Sequence, residues 1–215
     1  MAANANVIKF IHVNKCGGKT INFLLSSLLP KQNYQEIHGM VGRPVTRKTN
    51  GKLILFVRDP IERFISSYYY YRRQKKLFNE DNLNVCIEKM ASSQAYLNEA
   101  FKNNLHFKYS LSKYISPEEM KHLNFFFVGT TEDLNRDMKL LLNRLEISRA
   151  DFVNIPRLNR TDRSRSRTKE PLSKKNIEFL KNLYRKDYEC LDILKERKLL
   201  SETHEIFKKE KVYLI

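Results

Sequence analysis

The stretch from residue 7 to 29 constrains this chain more than any other. Val7-Ile8-Lys9-Phe10-Ile11-His12-Val13 is rich in β-branched and aromatic residues and reads as a buried strand. It runs into Asn14-Lys15-Cys16-Gly17-Gly18-Lys19-Thr20, after which Ile21, Leu24, Leu25 and Leu28 recur at helical spacing until Pro30 closes the helix. Strand, glycine turn and helix in that order define one unit of an alternating fold, and the pattern repeats. Leu53-Ile54-Leu55-Phe56-Val57 and Phe125-Phe126-Phe127-Val128 read as further strands. A helix opens near Pro60 and carries Phe64, Ile65, Tyr68 and Tyr69 inward; Ser116-Pro117-Glu118-Glu119 is a capping box; Leu134 to Leu145 is amphipathic. Pro171 and Ser173 open what reads as one long helix to about Arg197, and residues 78–114, without glycine or proline, are helical in tone. The expectation is an α/β fold with a mainly parallel central sheet flanked by helices. One domain is expected over 1–215, its core at about 7–197 between a short polar N-terminus and a charged C-terminal tail.

With 41% hydrophobic and 11% aromatic residues among 215, the chain can bury a core, which excludes global disorder. The formal net charge of +16 favours anionic partners: nucleic acid, phosphorylated or sulfated ligands, an acidic surface. Cys16, Cys86 and Cys190 are odd in number and far apart, which suits neither a disulfide framework nor a zinc cluster and points to reducing surroundings. The first apolar run is too short to cross a bilayer, and no basic-then-apolar signal precedes it. As given, the chain reads as cytoplasmic or soluble, and a trimmed, membrane-anchored form would read the same.

Paired glycines let a backbone turn tightly and aim successive N–H groups into one concavity, and the helix N-terminus behind them adds partial positive charge. Lys15, Lys19 and Thr20 add ammonium and hydroxyl donors at the same place, so the loop suits a phosphate or sulfate. Gly18-Lys19-Thr20 matches the end of a Walker A loop, but the first glycine of that pattern would fall on Val13. A nucleotide kinase or NTPase using Lys19 and Thr20 with magnesium is therefore a weakened alternative. A second segment, Arg58-Asp59-Pro60-Ile61-Glu62-Arg63-Phe64-Ile65-Ser66-Ser67-Tyr68, also follows a strand and opens a helix. Arg58 at the strand end and Ser66 two turns into the helix can face one phosphate beside the sheet's carboxyl edge. Taken alone, this segment reads equally as charge pairing on a tyrosine-rich core helix.

Together the two segments resemble the sulfotransferases that use 3′-phosphoadenosine 5′-phosphosulfate (PAPS), in particular the carbohydrate branch that includes the heparan sulfate 2-O-sulfotransferases. The glycine loop is similar to that family's 5′-phosphosulfate loop and the Arg-Asp-Pro-x-x-Arg segment to its 3′-phosphate segment. Phe126 to Glu132, the stretch Thr168 to Ser173, and Tyr184 with Asp187 are compatible as well. The resemblance implies a P-loop-like three-layer fold and transfer of a sulfuryl group to an acceptor hydroxyl on a carbohydrate or anionic glycan, leaving adenosine 3′,5′-bisphosphate. It gives Lys15 the catalytic lysine's role, Cys16, Gly17, Gly18, Lys19 and Thr20 the 5′-phosphosulfate, and Arg58 and Ser66 the 3′-phosphate. Asn14 stands where proline is usual and Lys19 where Thr or Ser is usual.

An acceptor hydroxyl must lose its proton to a base within hydrogen-bond reach. His38, in Glu36-Ile37-His38-Gly39-Met40, falls where the 2-O-sulfotransferases carry His-Gly-His; Met40 occupies the second histidine's place. His38 and Glu36 are the two candidate bases. His12 reads as a core or edge histidine, and Cys16 as a spacer. The basic stretch Arg157 to Lys175 is either a solvated loop or a flap bringing Arg165, Arg167, Thr168 and Lys169 to the 3′-phosphate or to an anionic acceptor. A nucleic-acid arm lacks any accompanying module, so nucleic acid is not the expected partner, and a non-catalytic glycan binder is the remaining alternative. The chain has no carboxylate cluster of metal-ligand spacing, and no metal is expected.

Overall fold

The computed structural model describes residues 6–38, 45–74, 82–147, 171–207 and 213. Strands β1 (Ile8–His12), β2 (Tyr34–His38), β3 (Lys52–Val57) and β4 (Phe125–Thr130) form one four-stranded sheet in the order β2-β1-β3-β4. Every pairing is parallel, with Ile8 opposite Tyr34 and His12 opposite His38 on one side, and Ile8 opposite Lys52 on the other. Parallel neighbours need crossover connections, and helices supply them. Helix α1 (Gly18–Leu28) joins β1 to β2, and α2 (Pro60–Arg73) follows β3. Then come α3 (Leu83–Ser92), α4 (Gln94–Asn103), the single turns α5 (Leu105–Lys108) and α6 (Leu111–Tyr114), and α7 (Pro117–His122). Helices α8 (Leu134–Arg144), α9 (Lys174–Leu183) and α10 (Arg185–Glu196) complete the described set.

Strand side chains alternate between two faces, and both are apolar. Ile8, Phe10, Ile54 and Phe56 meet Ile21, Leu24 and Leu25 of α1 and Met138, Leu141 and Leu142 of α8. Ile11, Leu53, Leu55 and Val57 point the other way, onto Leu111 and Tyr114 of α6, Met120 of α7 and Leu191 and Leu194 of α10. The result is three layers, helices on both faces of a parallel sheet, as the sequence implies. A satellite core joins Ile61, Phe64, Ile65, Tyr68 and Tyr69 of α2 to α3, α5 and α9.

The capping chemistry is local and explicit. Asp59 Oδ1 accepts from the N–H groups of Ile61 and Glu62, both at 3.0 Å, with Pro60 in the first turn where its missing N–H does no harm. Ser116 accepts from Glu119 N–H at 3.2 Å, but the Glu119 carboxylate accepts from Arg47 N–H instead of closing the box. Two expectations need correction. Tyr34–His38 is a strand that the sequence reading left unassigned, and the long helix after Ser173 is two helices broken at Tyr184.

The topology fixes where a ligand can sit. From β1 the chain crosses to β2 on one side, then returns past β1 to β3 on the other. The carboxyl ends of β1 and β3 therefore flank the point where strand order reverses, the crevice in which open α/β sheets bind ligands.

Candidate active site

Both motif segments leave the sheet at that crevice. After His12 the backbone enters a tight turn in which Lys15 has φ 66° and Gly17 φ 74°. Gly17 takes the left-handed conformation without penalty, while Lys15 holds it as a non-glycine residue, a geometry that neighbouring structure must enforce. Gly18 is required for a different reason. A Cβ there would lie 1.9 Å from Cδ2 and Nε2 of His12, whose ring rests against the first turn of α1. No side chain caps α1, so the first-turn N–H groups of Gly18, Lys19 and Thr20 are turned toward the turn's mouth. Beside them the buried Asn14 has a side-chain amide nitrogen with no hydrogen-bond partner among the described residues.

Lys15 is half-buried, with Nζ 4.3 Å from the centre of the Tyr70 ring. Burial, reinforced by Arg58, Arg73 and Lys19, lowers its pKa from 10.5 to about 8. Arg58 Nη1 donates to the Lys15 carbonyl at 3.2 Å, and Nη2 donates to Glu62 at 3.3 Å. The 58–68 segment thus touches the glycine turn directly. Ser66 is half-buried on α2, one turn beyond Glu62 and one before Tyr70, on the stripe that faces Lys15. Glu132, just after β4, accepts from Asp59 N–H at 3.0 Å and holds the Arg58-Asp59 corner in place.

Arg63, the second arginine of that segment, is 1% exposed and plays a different part. Its Nη1 donates to the His106 carbonyl at 2.6 Å, its guanidinium lies 4.9 Å from the Tyr184 ring centre, and Asp187 is 3.9 Å away. It binds α2 to α5 and α10 from inside. Of the tyrosine run, Tyr68, Tyr69 and Tyr71 are buried and Tyr70 borders the crevice, one more packed inward than expected. Cys16 is buried, and burial pushes its thiol up to about 12, which suits a packing residue.

On the α1 face of the sheet a second group assembles. Tyr34, Glu36 and His38 share one face of β2, and His38 stands opposite His12 in the parallel register. The Nδ1–H of His12 donates to Glu36 Oε1, and the two histidine rings meet edge to face at 4.6 Å. The three side chains present one nitrogen or oxygen each, all within 4.8 Å of one another. That composition can ligate a cation, but the His12–Glu36 hydrogen bond occupies two of the atoms, and the Lys19 ammonium opposes positive charge on His12. His106 completes the surroundings. It packs 5.0 Å from the Tyr70 ring, and burial together with Lys15 and Arg63 lowers its pKa to about 4.

The structure therefore brings Lys15, Cys16, Gly17, Gly18, Lys19, Thr20, Arg58 and Ser66 to one crevice, with Glu36 and His38 at its β2 side. Within the loop, Lys19 is exposed and Thr20 buried. Arg165, Arg167, Thr168 and Lys169 lie outside the described residues. Residue types and spacing do not connect His12, Arg73 or His106 with the site. For His12 the signal was available: its parity on β1 places it on the α1 face, above Gly18.

The fold is an α/β fold whose crevice combines an uncapped helix N-terminus with flanking cations. The model of the Sulfotransferase family matches residues 1–192, and the chain belongs to that family. No curated protein matches it. Sulfuryl transfer is accordingly its class of reaction.

Proposed function

We propose that this enzyme takes its sulfuryl group from PAPS and passes it to a carbohydrate hydroxyl, releasing adenosine 3′,5′-bisphosphate. The observation that carries the reading is the 3.2 Å hydrogen bond from Arg58 to the Lys15 carbonyl, which makes one continuous cationic crevice of the two segments. The residues fit the donor: an uncapped helix N-terminus, an orphaned Asn14 amide, a half-buried ammonium and a planar guanidinium line the same mouth. When bound, the donor supplies a sulfuryl group already activated by its bond to phosphate. Cys16, Gly17, Gly18, Lys19 and Thr20 hold the 5′ end through backbone N–H groups, with Lys19 adding exposed charge. Lys15, protonated below about pH 8, neutralises charge at the reacting end. Arg58 and Ser66 hold the 3′-phosphate, a role the family resemblance also gives to Arg167, Thr168 and Lys169. The His12–Glu36–His38 group supplies the base that the acceptor proton needs. The carbohydrate acceptor, perhydroxylated or already anionic, rests on the branch resemblance and on the net charge of +16. A single domain over 1–215 belongs to the same proposal, supported by Tyr213, whose hydroxyl donates to Asp59 at 3.1 Å.

A kinase or NTPase reading is disfavoured by Val13, which is buried where that pattern needs its first glycine. A thermal-shift comparison separates the two. Adenosine 3′,5′-bisphosphate is expected to raise Tm without added metal, because a ligand that binds only the native state stabilises it. A shift with ATP·Mg²⁺ and none with the bisphosphate would overturn the donor assignment.

A further inference from the structure

We propose that Tyr213 is a positioning residue for the 3′-phosphate clasp: its hydroxyl holds Asp59, and through Asp59 it sets Arg58 and Ser66; this rests on the donor reading above. Tyr213 lies beyond residues 1–192, the stretch matched by the family. Its side chain is 6% exposed and packs into the satellite core with α2 and α9. Its carbonyl accepts from the N–H of Leu172 at 2.9 Å, just ahead of α9. Its hydroxyl donates to Asp59 Oδ2 at 3.1 Å. Burial and the Asp59 carboxylate both raise the pKa of the phenol, so the group stays a donor at neutral pH.

Asp59 is where the two holders of the 3′-phosphate meet. It follows Arg58 in the chain, and its Oδ1 caps the first turn of α2, the helix that carries Ser66. Its own N–H goes to Glu132 and its Oδ2 to Tyr213, so the residue, 2% exposed, is fixed from three sides. The same C-terminal stretch bears on this corner a second time. Glu205 N–H donates to Asp133 Oδ2 at 3.0 Å, next in sequence to the Glu132 that holds the Asp59 N–H. A phenylalanine would fill the Tyr213 seat equally well. What the hydroxyl adds is a fixed orientation for a buried carboxylate, and a buried acceptor deprived of its donor costs more than the bond itself contributes. Loosening Asp59 lets Arg58 and the first turn of α2 shift against each other, and a clasp that needs both in register is sensitive to small misplacements. The tie therefore acts on the 3′ end of the donor, while the backbone N–H groups of Gly17 to Thr20 grip the 5′ end.

Calorimetric titration with two probes reads the tie. Adenosine 3′,5′-bisphosphate and adenosine 5′-monophosphate differ only in the 3′-phosphate, so the ratio of their affinities measures the clasp and is insensitive to the fraction of protein folded. Tyr213→Phe is expected to lower that ratio by about 2–30-fold, the range for residues that tune a site without touching its ligand. Affinity for the monophosphate is expected to change by less than about twofold. Leu142→Ala, a truncation in the core on α8, is expected to lower Tm more than Tyr213→Phe does and to leave the ratio unchanged. In Asp59→Asn the amide keeps the helix cap and turns its NH₂ toward Tyr213, so the ratio is expected to fall as in Tyr213→Phe. Adding Tyr213→Phe to Asp59→Asn is expected to change it by less than about twofold further, because one bond is lost in both. An unchanged ratio in Tyr213→Phe overturns the proposal, as does an equal loss for both nucleotides, a changed ratio in Leu142→Ala, or full additivity with Asp59→Asn. An unmodified protein that binds the two nucleotides equally well defeats the donor reading instead.

Discussion

Lys15 is the residue on which most of the chemistry converges. Its left-handed backbone, φ 66°, throws the side chain back over the crevice, and the Tyr70 ring fixes the ammonium 4.3 Å from its centre. Replacing it with alanine is expected to lower kcat by about 10²–10³-fold, the loss typical of one preorganised donor, with a much smaller change in bisphosphate affinity. Its pH behaviour has a definite sign. The folded-state pKa of about 8 lies below the ordinary 10.5, so the ammonium is present at neutral pH and is lost as pH rises through 8. Turnover, followed as kcat against pH, should therefore fall above pH 8 in the native enzyme, and this decline should vanish from the residual activity of Lys15→Ala. Stability should run the other way, gaining between about pH 8 and 10.5 as the burial penalty on the cation is relieved. Gly18 is as constrained as Lys15. Gly18→Ala drives a methyl group into the His12 ring, which Glu36 holds in place, so the variant is expected to lose about 1–3 kcal/mol by chemical denaturation, the usual cost of overpacking.

Helix α2 carries two faces with separate duties, and its sequence separates them. Arg58 and Glu62, then Ser66 and Tyr70, follow one another at four-residue steps along the crevice, while Arg63, Phe64 and Tyr68 point into the satellite core. Arg63→Ala would strip a buried guanidinium from His106 and Asp187, so it is expected to destabilise by about 3–5 kcal/mol in urea. Bisphosphate affinity should change little in whatever fraction stays folded. The strands β1, β3 and β4 were legible because both of their faces are apolar, and the Asp59-Pro60 and Ser116-Pro117 starts were legible from their caps. Tyr34-Gln35-Glu36-Ile37-His38 was not. It is the sheet's edge strand in this structure, with Ile37 against one core, Tyr34 against the other, and polar side chains at Gln35, Glu36 and His38. Missing β2 also hid the pairing of His12 with Glu36, because a parallel register 24 residues away leaves no local periodicity. The break at Tyr184 was hidden for the opposite reason: apolar spacing continues across it without glycine or proline.

At the scale of the molecule, the strand order β2-β1-β3-β4 does what neither motif can do alone. It sets the glycine turn and the arginine corner on adjoining carboxyl ends, with the opening between them at the reversal of strand order. The net charge of +16 surrounds that opening with a field that draws anions toward it. Among the described residues no helix is long and apolar enough to cross a membrane. The motifs and their anion-binding chemistry could be read from residue types and spacing, but their adjacency could not, since it depends on which strands become neighbours. A crystal structure of the enzyme with adenosine 3′,5′-bisphosphate measures that adjacency at the ligand. The account expects the 5′-phosphate on the backbone N–H groups of Gly17 to Thr20 and the 3′-phosphate on Arg58 and Ser66 of the same molecule. A bisphosphate bound away from the Lys15–Arg58 crevice, or touching just one of the two segments, would contradict it.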